Sequence, residues 1–461
     1  MAELSKFLFI NRNRKSSVDR SSPVEEFYSD KSRIIFCSSF RRLMQKAQVF
    51  SLENNSSVRN RLTHTLEVAD VGRALARKAG QMLLSIHKID EIDAEAIQTI
   101  VETSCLFHDI GNPPFGHFGE EAIKEWFLTT AKKYFQDTQQ ELNFSEGGLL
   151  SDFENFDGNA QGFRIVTRLH SRLDTSSLNL TYATLLASIK YPNYLGIKEK
   201  SKFDKKIGIF STEVPIYSKI CEDIHWMPGI RYFLTYLMEL ADDICYCLSD
   251  ISDSFEKGIV RSRDFKEELN KICKEFDIKN PFTIQKETIE DFSREIAVPL
   301  SKMIINEASL YFAANIDHFL SGESNELINI LSTGKTLEAF KIFARKYIYT
   351  SQEAQRIEIA GYAVVSGLLE HYGRLLKMSR EDFTYFVRKN ELKKKSNLDL
   401  EWRIYNRLSN RMIYCYKNAV SDSMSNDGEW INRAHLIIDF ILSMTDRSAL
   451  ETYQNYMGIS L

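Results

Sequence analysis

Two short segments of this chain hold three of its nine histidines. One reads Arg61-Leu62-Thr63-His64-Thr65-Leu66-Glu67-Val68, the other Leu106-Phe107-His108-Asp109-Ile110-Gly111-Asn112-Pro113-Pro114-Phe115-Gly116-His117-Phe118-Gly119-Glu120. Two imidazoles and the carboxylate of the adjacent His108-Asp109 pair suit a borderline or hard divalent metal such as Mn, Fe, Zn or Mg. A catalytic metal keeps one position open for water or substrate.

Helices must present these groups. Leu62, Leu66, Ala69, Gly72 and Ala76 recur at helical spacing, which puts His64 near the start of an amphipathic helix. Ile97, Ile100, Val101, Ser104, Cys105 and His108 mark a second helix, which Gly111 and Pro113-Pro114 end. Tyr232 to Asp250 reads as a third, with Asp242, Tyr246 and Asp250 along one line beside the apolar stripe. A carboxylate beside such a stripe is costly unless paired or bound to a cation, so Asp242 is the candidate fourth ligand. His117 and Glu120 stand at i, i+3 and can touch on one short helix, where a carboxylate fixes the imidazole tautomer and raises its basicity.

His64, His108-Asp109 and Asp242 match the H…HD…D pattern of the HD phosphohydrolase superfamily. Longer strings resemble the bacterial deoxyguanosine triphosphate triphosphohydrolases: Phe40 to Phe50, Arg59 to His64, His108 to His117, Phe156 to Gln161, Ala241 to Ile244 and Met444 to Arg447. Asp157 departs from the pattern, since the family usually carries Glu there. The resemblance implies an all-α fold, with an HD-domain helical core over 1–260, an N-terminal arm to about residue 35, and a C-terminal helical region over 261–461 that completes the pocket and the oligomer contacts. It implies hydrolysis of dGTP, with other dNTPs as further candidates, to the nucleoside and inorganic triphosphate. The metal on His64, His108, Asp109 and Asp242 would polarise the α-phosphate and present hydroxide. Manganese or magnesium leads as cofactor, with iron, zinc or cobalt as alternatives.

The remaining site residues follow from the resemblance or from their own chemistry and position. His117 and Glu120 look like the family's catalytic pair, with His117 protonating the departing oxygen or assisting water. Gln48 and Val49 look like residues that meet the deoxyribose, where an apolar side chain excludes a 2′-hydroxyl. Val49 as plain core is the competing reading. Arg61, on the His64 face, suits phosphate oxygens. Lys190 resembles a family segment that offers a lysine to the triphosphate and Glu358 a stretch near the base. Arg231, by its position before the Asp242 helix, is a further phosphate contact, and Asn159 and Arg164 line or brace the pocket or else serve helix packing. Tyr246 would pack on the sugar and Asp250 would accept its 3′-hydroxyl.

Composition bounds the rest. A formal net charge of −4 gives no polycation to argue for nucleic acid. With 30 Phe and 20 Tyr there is ample core material, and 8 Pro and 20 Gly fit helices with short loops. Seven Cys without a CxxC pair read as buried thiols in a reducing compartment. No signal-peptide pattern or apolar run long enough to span a membrane is visible, so a cytoplasmic protein is expected.

Residues 11–35 are basic and read as a solvated arm, or else as a phosphate or oligomer contact. Lys124 to Leu150 read as a surface helix and loop, and Lys198 to Lys206 as a solvated basic loop. Ser332 to Thr336 ends like a P-loop, but Asn329 stands where glycine is required. Phe386 to Lys395 is an aromatic-led basic run, by default a helix end, with single-stranded DNA contact as the sharper reading. Homo-oligomers, often hexamers, are usual in the family. Two rival functions stand beside dGTP hydrolysis: an HD-type phosphodiesterase or nucleotidase, and a catalytically silent nucleotide or single-stranded DNA binding module.

Overall fold

The computed structural model describes residues 4–131, 133–134, 150–170, 176–194, 203, 206–278, 292–392 and 397–459. Among the described residues the regular structure is helical. The only β pairing there is two isolated bridges, Arg12 to Thr181 and Ala47 to Asn60. The helices that build the site are α1 (Pro23–Ile35), α2 (Ser38–Arg42), α3 (Arg61–Ser85), α4 (Glu91–Phe107), α5 (Gly116–Trp126), α6 (Gly158–Arg164), α7 (Thr235–Glu256), α8 (Ser332–Tyr347), α9 (Gln352–Gly373), α10 (Asn410–Ala419), α11 (Asn426–Leu442) and α12 (Asp446–Tyr456).

Local signals set the ends of the two helices that carry the histidines. Asn60 caps α3: its side chain accepts the Thr63 N–H at 3.0 Å, and Thr63 Oγ1 accepts the Asn60 N–H at 3.1 Å. Asp90 and Asp93 form the same reciprocal box at the start of α4. That helix runs until His108, where the chain turns through Gly111. A Cβ on Gly111 would lie 2.0 Å from Gly158 O and 2.2 Å from Gly162 N, so only glycine lets the turn rest on the α6 backbone.

Packing then brings the ligand candidates together. The buried stripe of α3 includes His64, Val68, Gly72, Leu75 and Ala79, and it faces α4 and α7. At Gly72 an added Cβ would sit 2.5 Å from Cys105 Sγ and 3.6 Å from Ala241 Cβ. The three helices can approach this closely because that position has no side chain. Two turns N-terminal along α3, the same crossing sets His64 beside the end of α4 and beside Asp242.

The buried apolar side chains form two clusters. One extends from Leu4 to Ala354; the other joins Phe115–Ala160 and Phe210 to Val364–Ala449. Each cluster therefore draws on chain from both sides of residue 260. Within the second cluster α5 and α9 pack on each other.

Several surface expectations are corrected. The Arg12 side chain is buried and pairs with Glu26 at 2.7 Å and Asp30 at 2.6 Å. Asp30 also accepts from the Thr181 hydroxyl, so Arg12 anchors the arm to the body while Arg14 and Lys15 stay exposed. The helical chain after Lys124 lies at the surface, with Glu125, Leu128 and Thr129 exposed, and is anchored by Trp126 and Phe127 in the second cluster. Residues 135–149 and most of the 198–206 loop lie outside the described residues. Phe386 and Val387 point into the second cluster and Arg388 pairs with Asp422, which removes the aromatic from any role in base stacking; Lys393 to Lys395 lie outside the described residues. All seven cysteines are free, and six are buried. No described helix is long and apolar enough to cross a membrane.

Candidate active site

A cavity of about 490 Å³ opens over the junction of α3, α4 and α7. His108, Asp109 and Asp242 line it, and His64 lies fully buried behind them. Ligand atoms of His64, His108 and Asp109 all fall within 4.8 Å of one another. Asp242 Oδ1 completes the set, 3.2 Å from His64 Nε2 and 3.4 Å from His108 Nε2.

These residues fit a divalent cation. His108 Nδ1 donates to the Cys105 carbonyl at 2.7 Å, which fixes the tautomer and leaves Nε2 as the lone-pair nitrogen. That Nε2 is buried without a hydrogen-bond partner. Such an orphan is costly unless something else binds there. Burial pulls the His108 imidazole down, but Asp109 and Asp242 outweigh it and raise its pKa to about 9, so with no cation bound Nε2 carries a proton that a metal ion would displace. Burial raises Asp109 and Asp242, yet Arg61 and His108 hold Asp109 below the usual carboxylate range, and His108 and His64 hold Asp242 well below it. Both acids are therefore anionic at neutral pH, as metal ligands must be.

Arg61 braces this group. Its Nη1 donates to Asp109 Oδ2 at 2.6 Å, and Asn112 Nδ2 donates to Asp109 Oδ1 at 2.6 Å. Gln48 Oε1 is 3.5 Å from Arg61 Nη1, at the limit of a hydrogen bond. In this state Arg61 orients the carboxylate while lining the cavity wall with Gln48 and Val49.

Across the cavity stands the second pair. The His117 ring is largely exposed, and its Nδ1 lies 3.1 Å from Glu120 Oε2. Glu120 is buried, and its other oxygen accepts the Gly158 N–H at 2.9 Å. The backbone at the start of α6 thus holds the carboxylate that orients the imidazole. His117 Nε2 has no protein partner among the described residues.

Phe115 gives this pair its direction. It sits in the left-handed region at φ 61°, which costs a bulky residue about 1–3 kcal/mol. Asp446 at the start of α12 accepts the Phe115 N–H at 3.0 Å and the Ala47 N–H at 2.9 Å, so one carboxylate holds both the turn into α5 and the Gln48-Val49 strip. Gly361 on α9 leaves room for the Phe115 ring: a Cβ there would fall 2.4 Å from Phe115 Cβ. Gly361→Ala is expected to lower stability by about 1–3 kcal/mol through overpacking and to reduce kcat/KM as α5 shifts. Denaturant midpoints and kinetics unchanged from wild type would remove this support role.

The cationic side is built in layers. Lys190 lines the cavity with its Nζ 3.4 Å from Glu239 Oε1, and Arg231 pairs with the other Glu239 oxygen. The expected phosphate contact by Arg231 is therefore corrected. It is fully buried against Phe203 and Tyr236, one step behind Lys190, and does not reach the cavity. Asn159 does line it, with Nδ2 donating to Asp157 Oδ1 at 2.7 Å. Arg164 braces instead, with Nη2 2.9 Å from Asp439 and Nη1 2.7 Å from Glu213. Lys206 was missed by sequence reasoning. It lines the cavity and donates to Asp157 Oδ2 at 2.7 Å. Its only signal was membership of a lysine run that reads as solvent-facing.

The far wall corrects Asp250 also. Tyr246 faces the cavity and stacks on Tyr349, with ring centroids 6.1 Å apart. The Tyr349 hydroxyl donates to Asp250, which is fully buried and pushed up to about 8 by that burial. Tyr349, not Asp250, meets the cavity. It follows α8 and has no spacing relation to α7 that a sequence could reveal. Glu358 on α9 closes this side, near His117.

The family model for the HD domain matches residues 61–175. A deoxyguanosinetriphosphate triphosphohydrolase of Enterobacter sp. (strain 638) is 32% identical, covering 97% of this chain and 97% of its own. Proteins of the same name from Salmonella paratyphi A and Klebsiella pneumoniae subsp. pneumoniae are 31% and 32% identical over 94% of each chain. With near-complete coverage at this identity, and with the HD cluster assembled in the cavity over α3, α4 and α7, the chain belongs to the deoxyguanosinetriphosphate triphosphohydrolase family of HD-domain proteins.

Proposed function

We propose that this protein hydrolyses dGTP to deoxyguanosine and inorganic triphosphate. The observation that carries the proposal is one cavity holding the HD cluster, the His117–Glu120 pair and two lysines, in a chain that matches curated triphosphohydrolases along nearly its whole length. A divalent cation on His64, His108, Asp109 and Asp242 supplies Lewis acidity toward the α-phosphate and toward water. With no thiolate among the donors a soft metal is not selected, and manganese or magnesium leads on the family resemblance.

The chain's own residues do the remainder. Lys190 and Lys206 offset the triphosphate charge, each kept charged by a carboxylate behind it. Arg61 holds Asp109 in place and turns its remaining N–H groups toward phosphate oxygens. Glu120 keeps the proton of His117 on Nδ1 or shares it there, so that Nε2 exchanges a proton with the leaving 5′-oxygen or with water. Gln48, Val49, Tyr246 and Tyr349 form the wall against the sugar, and Asn159 and Glu358 stand at the rim. A homo-oligomer in the cytoplasm goes with this reading.

Product analysis tests it. The protein with Mn²⁺ is given each dNTP and GTP separately, and products are resolved by ion-pair chromatography. Deoxynucleoside with intact triphosphate is expected, with dGTP ranked first. Monophosphate with pyrophosphate, or stepwise phosphate release, would overturn the reaction while leaving the metal site standing.

Sugar selection has its own test. Val49→Gly together with Tyr246→Ala is expected to narrow the dGTP-over-GTP ratio of kcat/KM by about 10- to 100-fold, the scale of losing one steric contact in a pocket. An unchanged ratio would return Val49 to a plain packing role.

A further inference from the structure

A second cavity, about 700 Å³, lies between α2, α6, α10 and α11. Arg42 and Arg411 enter it from opposite elements. Arg42 Nη2 donates to Ser39 Oγ at 2.9 Å, and Arg411 Nη1 donates to Ser38 Oγ at 3.2 Å. Neither guanidinium has a carboxylate partner among the described residues, in a protein where most buried arginines do. The one acid on the wall, Asp439, is already held by Arg164 at 2.9 Å and by Gln161 at 2.8 Å. Lys46 adds a buried amine, pulled down to about 7 by that burial, whose two partners are neutral carbonyls, Asn112 O and Leu442 O. Burial and the neighbouring Arg411 pull Arg42 below its ordinary pKa, as expected of like charges facing one space with no counterion.

The remaining wall shows what else a ligand would need. Gln161 Oε1 is buried on this wall with no hydrogen-bond partner, so it awaits a donor. Ile165, Leu169 and Met412 give an apolar side. Two unpaired forks suit the planar, bidentate geometry of phosphoryl oxygens.

We propose that this cavity is a second binding site, for a phosphate-bearing small anion held between Arg42 and Arg411. The site backs directly onto the catalytic cavity. Lys46, Ile110 and Gln161 face it, while Gln48, Asp109 and Asn159, one or two residues away on the same segments, face the other side. An occupant would therefore touch the segments that carry the catalytic groups without touching those groups.

Calorimetry on the metal-free, full-length protein tests this with pyrophosphate and ADP as probes, so no turnover is involved and the outcome does not depend on the reaction proposed above. The Lys190→Gln variant removes a cation from the catalytic cavity. It is expected to keep one pyrophosphate site of wild-type affinity. Arg42→Gln and Arg411→Gln, on separate elements, are each expected to raise that Kd at least tenfold, and Arg411→Lys to recover part of it. Thermal melts without probe check that each variant is folded, and either one alone decides. Equal affinities for pyrophosphate and ADP would assign recognition to the phosphoryl group; tighter ADP binding would bring in the apolar wall. Wild-type affinity in a folded arginine variant, or no binding left in Lys190→Gln, would overturn the site.

Discussion

Asp109→Ala is expected to lose bound metal and turnover together, with kcat/KM falling by about 10⁴-fold or more, the order seen when one member of a catalytic unit is removed. The carboxylate is a ligand candidate and also the counterion that holds its neighbours. It sits 2.6 Å from Arg61 Nη1 and 3.6 Å from His108 Nε2. Without it the Arg61 guanidinium and the His108 imidazole share one pocket with only Asp242 to balance them. A cation is then repelled as well as deprived of a ligand. The measurement is metal content by mass spectrometry on protein loaded with Mn²⁺, beside the product assay. A variant that retains wild-type metal stoichiometry, or that turns over normally, would overturn the ligand assignment.

His117→Ala separates the chemistry from the metal. Metal content is expected to match wild type, because His117 lies outside the ligand cluster and is largely exposed. The rate is expected to fall about 10²- to 10⁴-fold, the usual contribution of a positioned acid or base. Glu120→Gln makes a finer cut. Glutamine can still accept the Gly158 N–H, yet it no longer brings a carboxylate to Nδ1. A smaller fall than for His117→Ala is expected, with a shifted pH profile. If His117→Ala leaves both rate and pH profile unchanged, the ring is a surface side chain and proton transfer must be assigned elsewhere.

The ligand candidates were legible because adjacency and helical spacing constrain them tightly. His108 and Asp109 are neighbours, Gly111 and Pro113-Pro114 announce the end of their helix, and the apolar spacing from Leu62 to Ala76 places His64 near the start of its own. What spacing could not reveal is depth. Asp242, Tyr246 and Asp250 do fall on one line of α7, but the first two reach the cavity and the third lies under Tyr349. Arg231 failed likewise: nothing in the sequence says that Glu239, two turns on, would take it into the core. Lys206, Tyr349 and the clamp made by Asp446 depend on contacts between distant segments, which no local pattern encodes. The boundary near residue 260 marks where recognisable chemistry stops; the buried clusters run across it.

The Asp446 carboxylate carries one more consequence. During synthesis, the four ligand candidates have all left the ribosome by the time Asp242 has. The Gln48-Val49 strip and the Phe115 turn still lack the acceptor that fixes them, and the cavity still lacks Tyr349 and Glu358. Contacts this remote in sequence form late and slowly. A nascent chain can thus gather its metal ligands well before it can shape a nucleotide pocket. The pocket is complete only once the segments carrying Tyr349, Glu358 and Asp446 have been made.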